Sequence, residues 1–114
     1  MSFQRKIFYY KNYYQDFYNS QGPEARKKID WVVGLVRDLE IVPIKYFKHL
    51  EGTEGLYEIR IRFKRINYRI FCFFDEDKLI ILLQGFQKKT QKTPKNELNK
   101  ALKLRQEYYE TKGK

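Results

Sequence analysis

Between Gly55 and Lys92 the chain reads GLYEIRIRFKRINYRIFCFFDEDKLIILLQGFQKKTQK: three strand-like runs, two short turns and a basic tail. No other stretch restricts the fold as strongly, because alternation with a period of two commits each side chain to one face of a sheet. In the first run Tyr57, Ile59, Ile61 and Phe63 take the core face, while Glu58, Arg60, Arg62 and Lys64 form a row of charges opposite. In the second, Tyr68, Ile70, Cys72 and Phe74 share one face and Arg69, Phe71 and Phe73 the other. Arg69 is thus a cation set among aromatic rings, a costly placement unless an anion meets it. The third run, Leu79 to Leu83, is apolar throughout and reads as a strand covered on both faces, ending at Gly85 before Lys88, Lys89 and Lys92. A meander of this pattern gathers cations at one end and on one face of its sheet.

The flanking segments supply cover for that sheet. Arg5 to Tyr10 is aromatic and β-branched enough for a first strand. Asn12 can cap a short helix with Tyr14, Phe17 and Tyr18 on one side, and Pro23 suits the first turn of a second helix. In that second helix Ala25, Ile29, Val32, Val33, Val36 and Leu39 recur at helical spacing, with Trp31 beside the stripe and expected to be core or helix packing rather than a stacking platform for a base. The two helices read as a hairpin laid on the sheet. Residues 40–55 read as a connecting loop, punctuated by Pro43, Gly52 and Gly55; Lys45, Lys48 and His49 stand close together in it. As a loop side chain, His49 is expected to be satisfied by a backbone group rather than to act as a base. Thr93-Pro94 reads as a cap and first-turn pair for a last helix with Leu98, Ala101, Leu102 and Tyr108 or Tyr109 as its apolar stripe. The order is β-α-α-β-β-β-α, an α+β fold.

At 114 residues this is expected to be a single domain, 1–114, with aromatic content of 18% to fill one core. A formal charge of +10 favours a polyanionic partner. The lone Cys72 lies in an apolar strand, where a core thiol is the expectation, and one Cys with one His falls short of a zinc site, so no metal or cofactor is expected. The opening MSFQRKIFYY lacks a small-residue cleavage site and no apolar run is long enough for a membrane span, so the cytoplasm is the expected location, with no membrane partner.

Three motifs together carry a resemblance: Gly55-Leu56-Tyr57-Glu58-Ile59-Arg60, Tyr68-Arg69-Ile70-Phe71, and Gly85-Phe86-Gln87-Lys88-Lys89-Thr90-Gln91-Lys92-Thr93-Pro94. Over nearly its whole length the chain resembles the RelE/HigB superfamily of bacterial toxins, in its phage-derived HigB-like branch. That resemblance implies a twisted, mainly antiparallel sheet with a helical hairpin and a C-terminal helix. It also implies a ribosome-dependent mRNA endonuclease, paired with an antitoxin that often carries a helix-turn-helix domain. Arg69 matches the arginine of the family's Tyr-Arg motif and is expected to hold phosphate; the competing expectation is an arginine whose stem packs on Phe71 and Phe73 while its head pairs with Glu58 or an aspartate. Arg60, Lys88 and Lys89 are expected beside it in catalysis, with Arg62, Lys64, Arg65, Lys48 and Lys92 binding RNA. For proton transfer, Lys88 or Lys89 crowded by like charge is one candidate and Glu58 another. The same architecture also serves toxins that inhibit gyrase without cutting nucleic acid; a simple nucleic-acid-binding protein would also suit the charge, although the glycine-aromatic signature of an RRM and a zinc-finger pattern are both absent.

Overall fold

The computed structural model describes Phe3 to Gly113. Along the described residues the elements run β1 (Lys6–Tyr9), α1 (Tyr13–Asn19), α2 (Pro23–Asp38), β2 (Phe47–His49), β3 (Leu56–Phe63), β4 (Ile66–Glu76), β5 (Leu79–Lys88) and α3 (Lys95–Lys112). This is the α+β order read from the sequence with one short strand added. The strands form a single five-stranded sheet in the order β1-β5-β4-β3-β2. Its pairings are antiparallel except for β1, which joins β5 parallel with Lys6 opposite Leu79 and Tyr9 opposite Leu82.

Each face of the sheet has its own core, divided as the alternation dictates. On one face Ile59, Ile61, Tyr68, Ile70, Cys72, Ile80 and Leu82 pack against Tyr14 and Phe17 of α1 and Ile29, Val32 and Val36 of α2. On the other, Leu56, Phe71, Phe73, Ile81 and Leu83 meet Ala101 and Leu104 of α3. Each fully buried Ile, Leu or Phe contributes roughly 1.5–3 kcal/mol, so these two layers supply the main folding force. Cys72 is fully buried and its thiol pKa is driven up, chiefly by desolvation, which makes it core rather than nucleophile. Gly85 has a steric reason to be glycine: a Cβ there would run into the Phe17 ring, so its absence lets α1 lie close to β5.

Several local expectations need correction. Residues 40–55 are not wholly loop, because Phe47 to His49 pair with Ile59 to Tyr57 as an edge strand too short to leave a periodic signal. The third meander strand does not end at Gly85 but continues to Lys88. Trp31 is not packed in the core: it is 50% exposed, since on α2 it falls outside the Ile29–Val32–Val36 stripe. Leu39 is likewise 39% exposed at the α2 C-cap, where the helix has already ended. Pro94, not Thr93, occupies the N-cap of α3, and Asn12 caps α1 without a side-chain hydrogen bond. Among the described residues no helix is long and apolar enough to cross a membrane.

The β4–β5 ladder slips in two places. From Asn67–Lys88 to Ile70–Gly85 the register is constant, and at Cys72–Leu82 it has moved by one residue. Leu83 and Gln84 therefore lie together across from Phe71, a bulge on β5. A second shift between Phe74 and Glu76 places the extra residue, Asp75, on β4.

Candidate functional site

Residues directly opposite each other in neighbouring strands point to the same face, so the register itself assembles the polar cluster. On the α3 side, Lys48 of β2 stands opposite Glu58 of β3, which stands opposite Phe71. In the next row Arg60 faces Arg69, which faces Phe86; in the last, Arg62 faces Asn67, which faces Lys88. Simple alternation from Leu83 would have sent Lys88 to the opposite face. The bulge at Leu83–Gln84 adds one residue and reverses that parity, so Lys88 arrives beside Arg69. The face is shared with α3, but α3 covers only its apolar end.

At the centre of the cluster sits Glu58, only 3% exposed. Its Oε1 lies 3.5 Å from Arg60 Nε and 3.7 Å from Arg69 Nε. Its Oε2 is buried with no hydrogen-bond partner, as is Arg69 Nε. Arg69 is 7% exposed and donates from one terminal nitrogen to the Tyr68 carbonyl at 3.0 Å. Arg60, partly exposed, reaches the Ile44 carbonyl at 3.4 Å. The charges do not balance: Lys88 feels Arg69, Arg60 and Lys48 against the single carboxylate of Glu58. Burial, reinforced by those cations, holds the Lys88 ammonium below the ordinary lysine range. Burial also lowers Arg69, with Glu58 acting against the shift and Arg60 with it, although a guanidinium stays protonated throughout.

Two cavities open on this cluster and share Asn67 and Arg69. One, of about 330 Å³, is walled by Arg60, Arg62, Lys28, Lys45 and Tyr46. The other, of about 390 Å³, is walled by Lys88, Lys89, Thr90 and Gln91. A site with buried, incompletely satisfied guanidinium and carboxylate groups between two cation-lined openings can receive an anionic linkage and stabilise charge that builds on it.

The residues singled out from the sequence divide accordingly. Arg60, Arg62, Arg69, Lys88 and Lys89 line the two openings, Glu58 lies beneath them, and Lys48 adds its charge from β2. Lys64 does not join them. It and Arg65 form the two-residue β3–β4 turn, both with left-handed backbones (φ 48° and 69°), and Lys64 Nζ is drawn 3.1 Å from Glu24 at the start of α2. Arg65 is exposed at the turn, and Lys92 is exposed in the segment before α3, its carbonyl accepting from Thr90 Oγ1. His49 alternates away from Lys48 on β2 and meets Tyr57 edge-on at 5.1 Å. Tyr108 donates its hydroxyl to Asp75 at the opposite end of β4, and burial followed by that bond pushes its pKa up. The row of charges on β3 is not uniformly solvated either, because Glu58 is buried between the two arginines.

Asn67, Tyr46 and Lys28 were not foreseen at the site. Asn67 carried a usable signal, since it lies two residues before Arg69 and so on the same strand face. Lys28 carried none, because its position depends on how α2 crosses the sheet.

Similarity places the chain among known proteins. The family model described as phage derived protein Gp49-like (DUF891) matches residues 16–106, from α1 to within α3 and including every strand that builds the site. No curated protein matches the chain. With most of its length covered by that match, the chain belongs to the phage-derived Gp49-like family, which is often toxin-like.

Proposed function

We propose that this protein is the toxin of a toxin–antitoxin pair, a RelE/HigB-type mRNA endonuclease that acts on the translating ribosome in the cytoplasm without a metal. The observation that carries the reading is the convergence of Arg60, Arg69 and Lys88 on one face of the sheet, around two adjoining openings that share Arg69, above a carboxylate they outnumber. In the reaction the ribose 2′-oxygen bonds to the adjacent phosphorus and the P–O5′ bond breaks, leaving a 2′,3′-cyclic phosphate and a 5′-hydroxyl. Arg69 and Arg60 hold the non-bridging oxygens and offset the extra negative charge of the phosphorane, the kind of preorganised stabilisation worth about 10²–10³ in rate for one donor. Lys88 takes the 2′ proton, because an amine held below the ordinary lysine range is neutral more often than a solvated one. Lys89, on the wall of the same opening, gives a proton from its ammonium to the departing 5′-oxygen, which leaves as the hydroxyl. Glu58 keeps the two guanidinium groups aimed rather than acting as the base, since its carboxylate is shared between them. The cognate antitoxin, expected to carry a helix-turn-helix domain, would mask this basic surface.

The test is inducible expression followed by mapping of 5′ ends on cellular mRNA. Wild-type protein should arrest growth and create new ends, and Arg69→Ala should do neither while keeping its circular dichroism spectrum. New ends of equal abundance from Arg69→Ala would refute the assignment, and DNA breaks without new mRNA ends would replace it with gyrase inhibition.

A further inference from the structure

Trp31 is the sole tryptophan of the sequence and sits half exposed on α2, one helical turn after Lys28. Its ring meets Tyr46 edge-on, with centroids 5.6 Å apart and planes at 86°. Lys28 Nζ lies 4.9 Å from the Trp31 ring centroid, and Lys45 Nζ 5.5 Å from that of Tyr46. The backbone at Tyr46 is tied to β3, because its carbonyl accepts the Arg60 backbone N–H at 2.8 Å. Tyr46 also walls the opening that holds Arg60 and Arg69, together with Lys28 and Lys45. An exposed indole therefore stands one ring outward from the cationic hollow. Among the described residues the ion pairs use Glu24, Asp38, Glu58, Asp75, Glu76 and Glu107, and none of them reaches Lys28 or Lys45.

We propose that Trp31 and Tyr46, flanked by Lys28 and Lys45, form a stacking subsite for one unpaired nucleotide of the strand whose scissile phosphate lies at Arg69. The proposal rests on the reading of the hollow as an RNA site and extends it along the strand. Single-stranded nucleic acid is held by this combination, aromatic faces for bases beside cations for phosphates. The opening beside the two rings carries five cationic side chains and no carboxylate, which suits a phosphate backbone. The subsite tolerates any base, because every base has a π-face, so it contributes grip and register rather than sequence choice.

The uniqueness of Trp31 makes its own emission the reporter. Purified protein is titrated at low salt with a fluorescein-labelled 2′-O-methyl oligoribonucleotide, which cannot undergo 2′-OH attack, following label anisotropy and tryptophan emission in parallel. Expected are quenching that saturates with the anisotropy signal, an affinity loss of about tenfold in Trp31→Ala, and retention of most affinity in Trp31→Phe. Anisotropy that rises without quenching, or unchanged affinity in Trp31→Ala of wild-type melting temperature, overturns the subsite and leaves the hollow's assignment standing. Absence of oligonucleotide binding by the wild type overturns both. Quenching with the expected affinity loss upholds the subsite even where the mapping of mRNA ends finds no cleavage.

Discussion

The α3-facing side of the sheet ends in two buried carboxylates that are treated in opposite ways. At one end Asp75 accepts the Tyr108 hydroxyl and the Lys112 ammonium, each at 2.6 Å, and α3 lies over the aromatic rings beside it. At the other end Glu58 holds two guanidinium groups at 3.5 and 3.7 Å with one oxygen, while the second has no partner. The same strands β3, β4 and β5 build both ends. At the first end the carboxylate is bonded within the chain; at the second, one carboxylate oxygen and one guanidinium nitrogen are buried without a protein partner.

The contrast can be broken at either end. Phe71→Ala, which empties the covered half, should cost about 3–5 kcal/mol and lower the thermal midpoint by on the order of 15 °C in a melt followed by circular dichroism. Lys88→Arg keeps the charge and removes a titratable amine. It should slow cleavage about 100-fold, roughly 2.7 kcal/mol of barrier, in a reconstituted translation reaction. Because the Lys88 pKa is lowered, wild-type cleavage should rise with pH and level off below the range of a solvated lysine, and the variant should lack that rise. Asp75→Asn should destabilise by about 2 kcal/mol without altering cleavage measured well below its midpoint. Burial alone would raise the Asp75 pKa, but the bonds from Lys112 and Tyr108 outweigh it and the net shift is downward. The stabilisation is therefore present above the ordinary aspartate range and lost as pH falls through the folded value, so the variant should show a flatter acid limb in stability against pH. Smallest of all, Lys64→Ala removes an exposed pair with Glu24 and should change neither stability by more than about 0.5 kcal/mol nor growth arrest. A large loss of arrest in that variant would mean that the active surface reaches past the hollow to the β3–β4 turn.

Alternation makes the faces of β3 and β4 legible, but the pairing of Arg60 with Arg69 is set by the two-residue turn between the strands. What it cannot reveal is anything that depends on an interruption of the period. Lys88 reads as part of a tail because the bulge at Leu83–Gln84 leaves no mark in composition, yet that bulge decides the face on which Lys88 emerges. Glu58 reads as one member of a row of charges, since burial of a charge depends on what its neighbours' side chains cover. Trp31 reads as packing because size and apolarity suggest it, whereas its angle around α2 points it out of the Ile29–Val32–Val36 stripe. The three-residue β2 is invisible for want of length, and Lys48 can be set beside Glu58 only once that strand is known.

The parallel seam between β1 and β5 bears on the order in which the molecule comes into being. Lys6 leaves the ribosomal tunnel early but pairs with Leu79, so the first strand must wait for nearly the last one before it has a neighbour. Arg60 and Arg69 are brought together sooner, by a hairpin whose two arms are consecutive. Lys88 joins them only when β5 docks, in the same event that secures β1. The cluster of Arg60, Arg69 and Lys88 is thus complete only after most of the chain has been made.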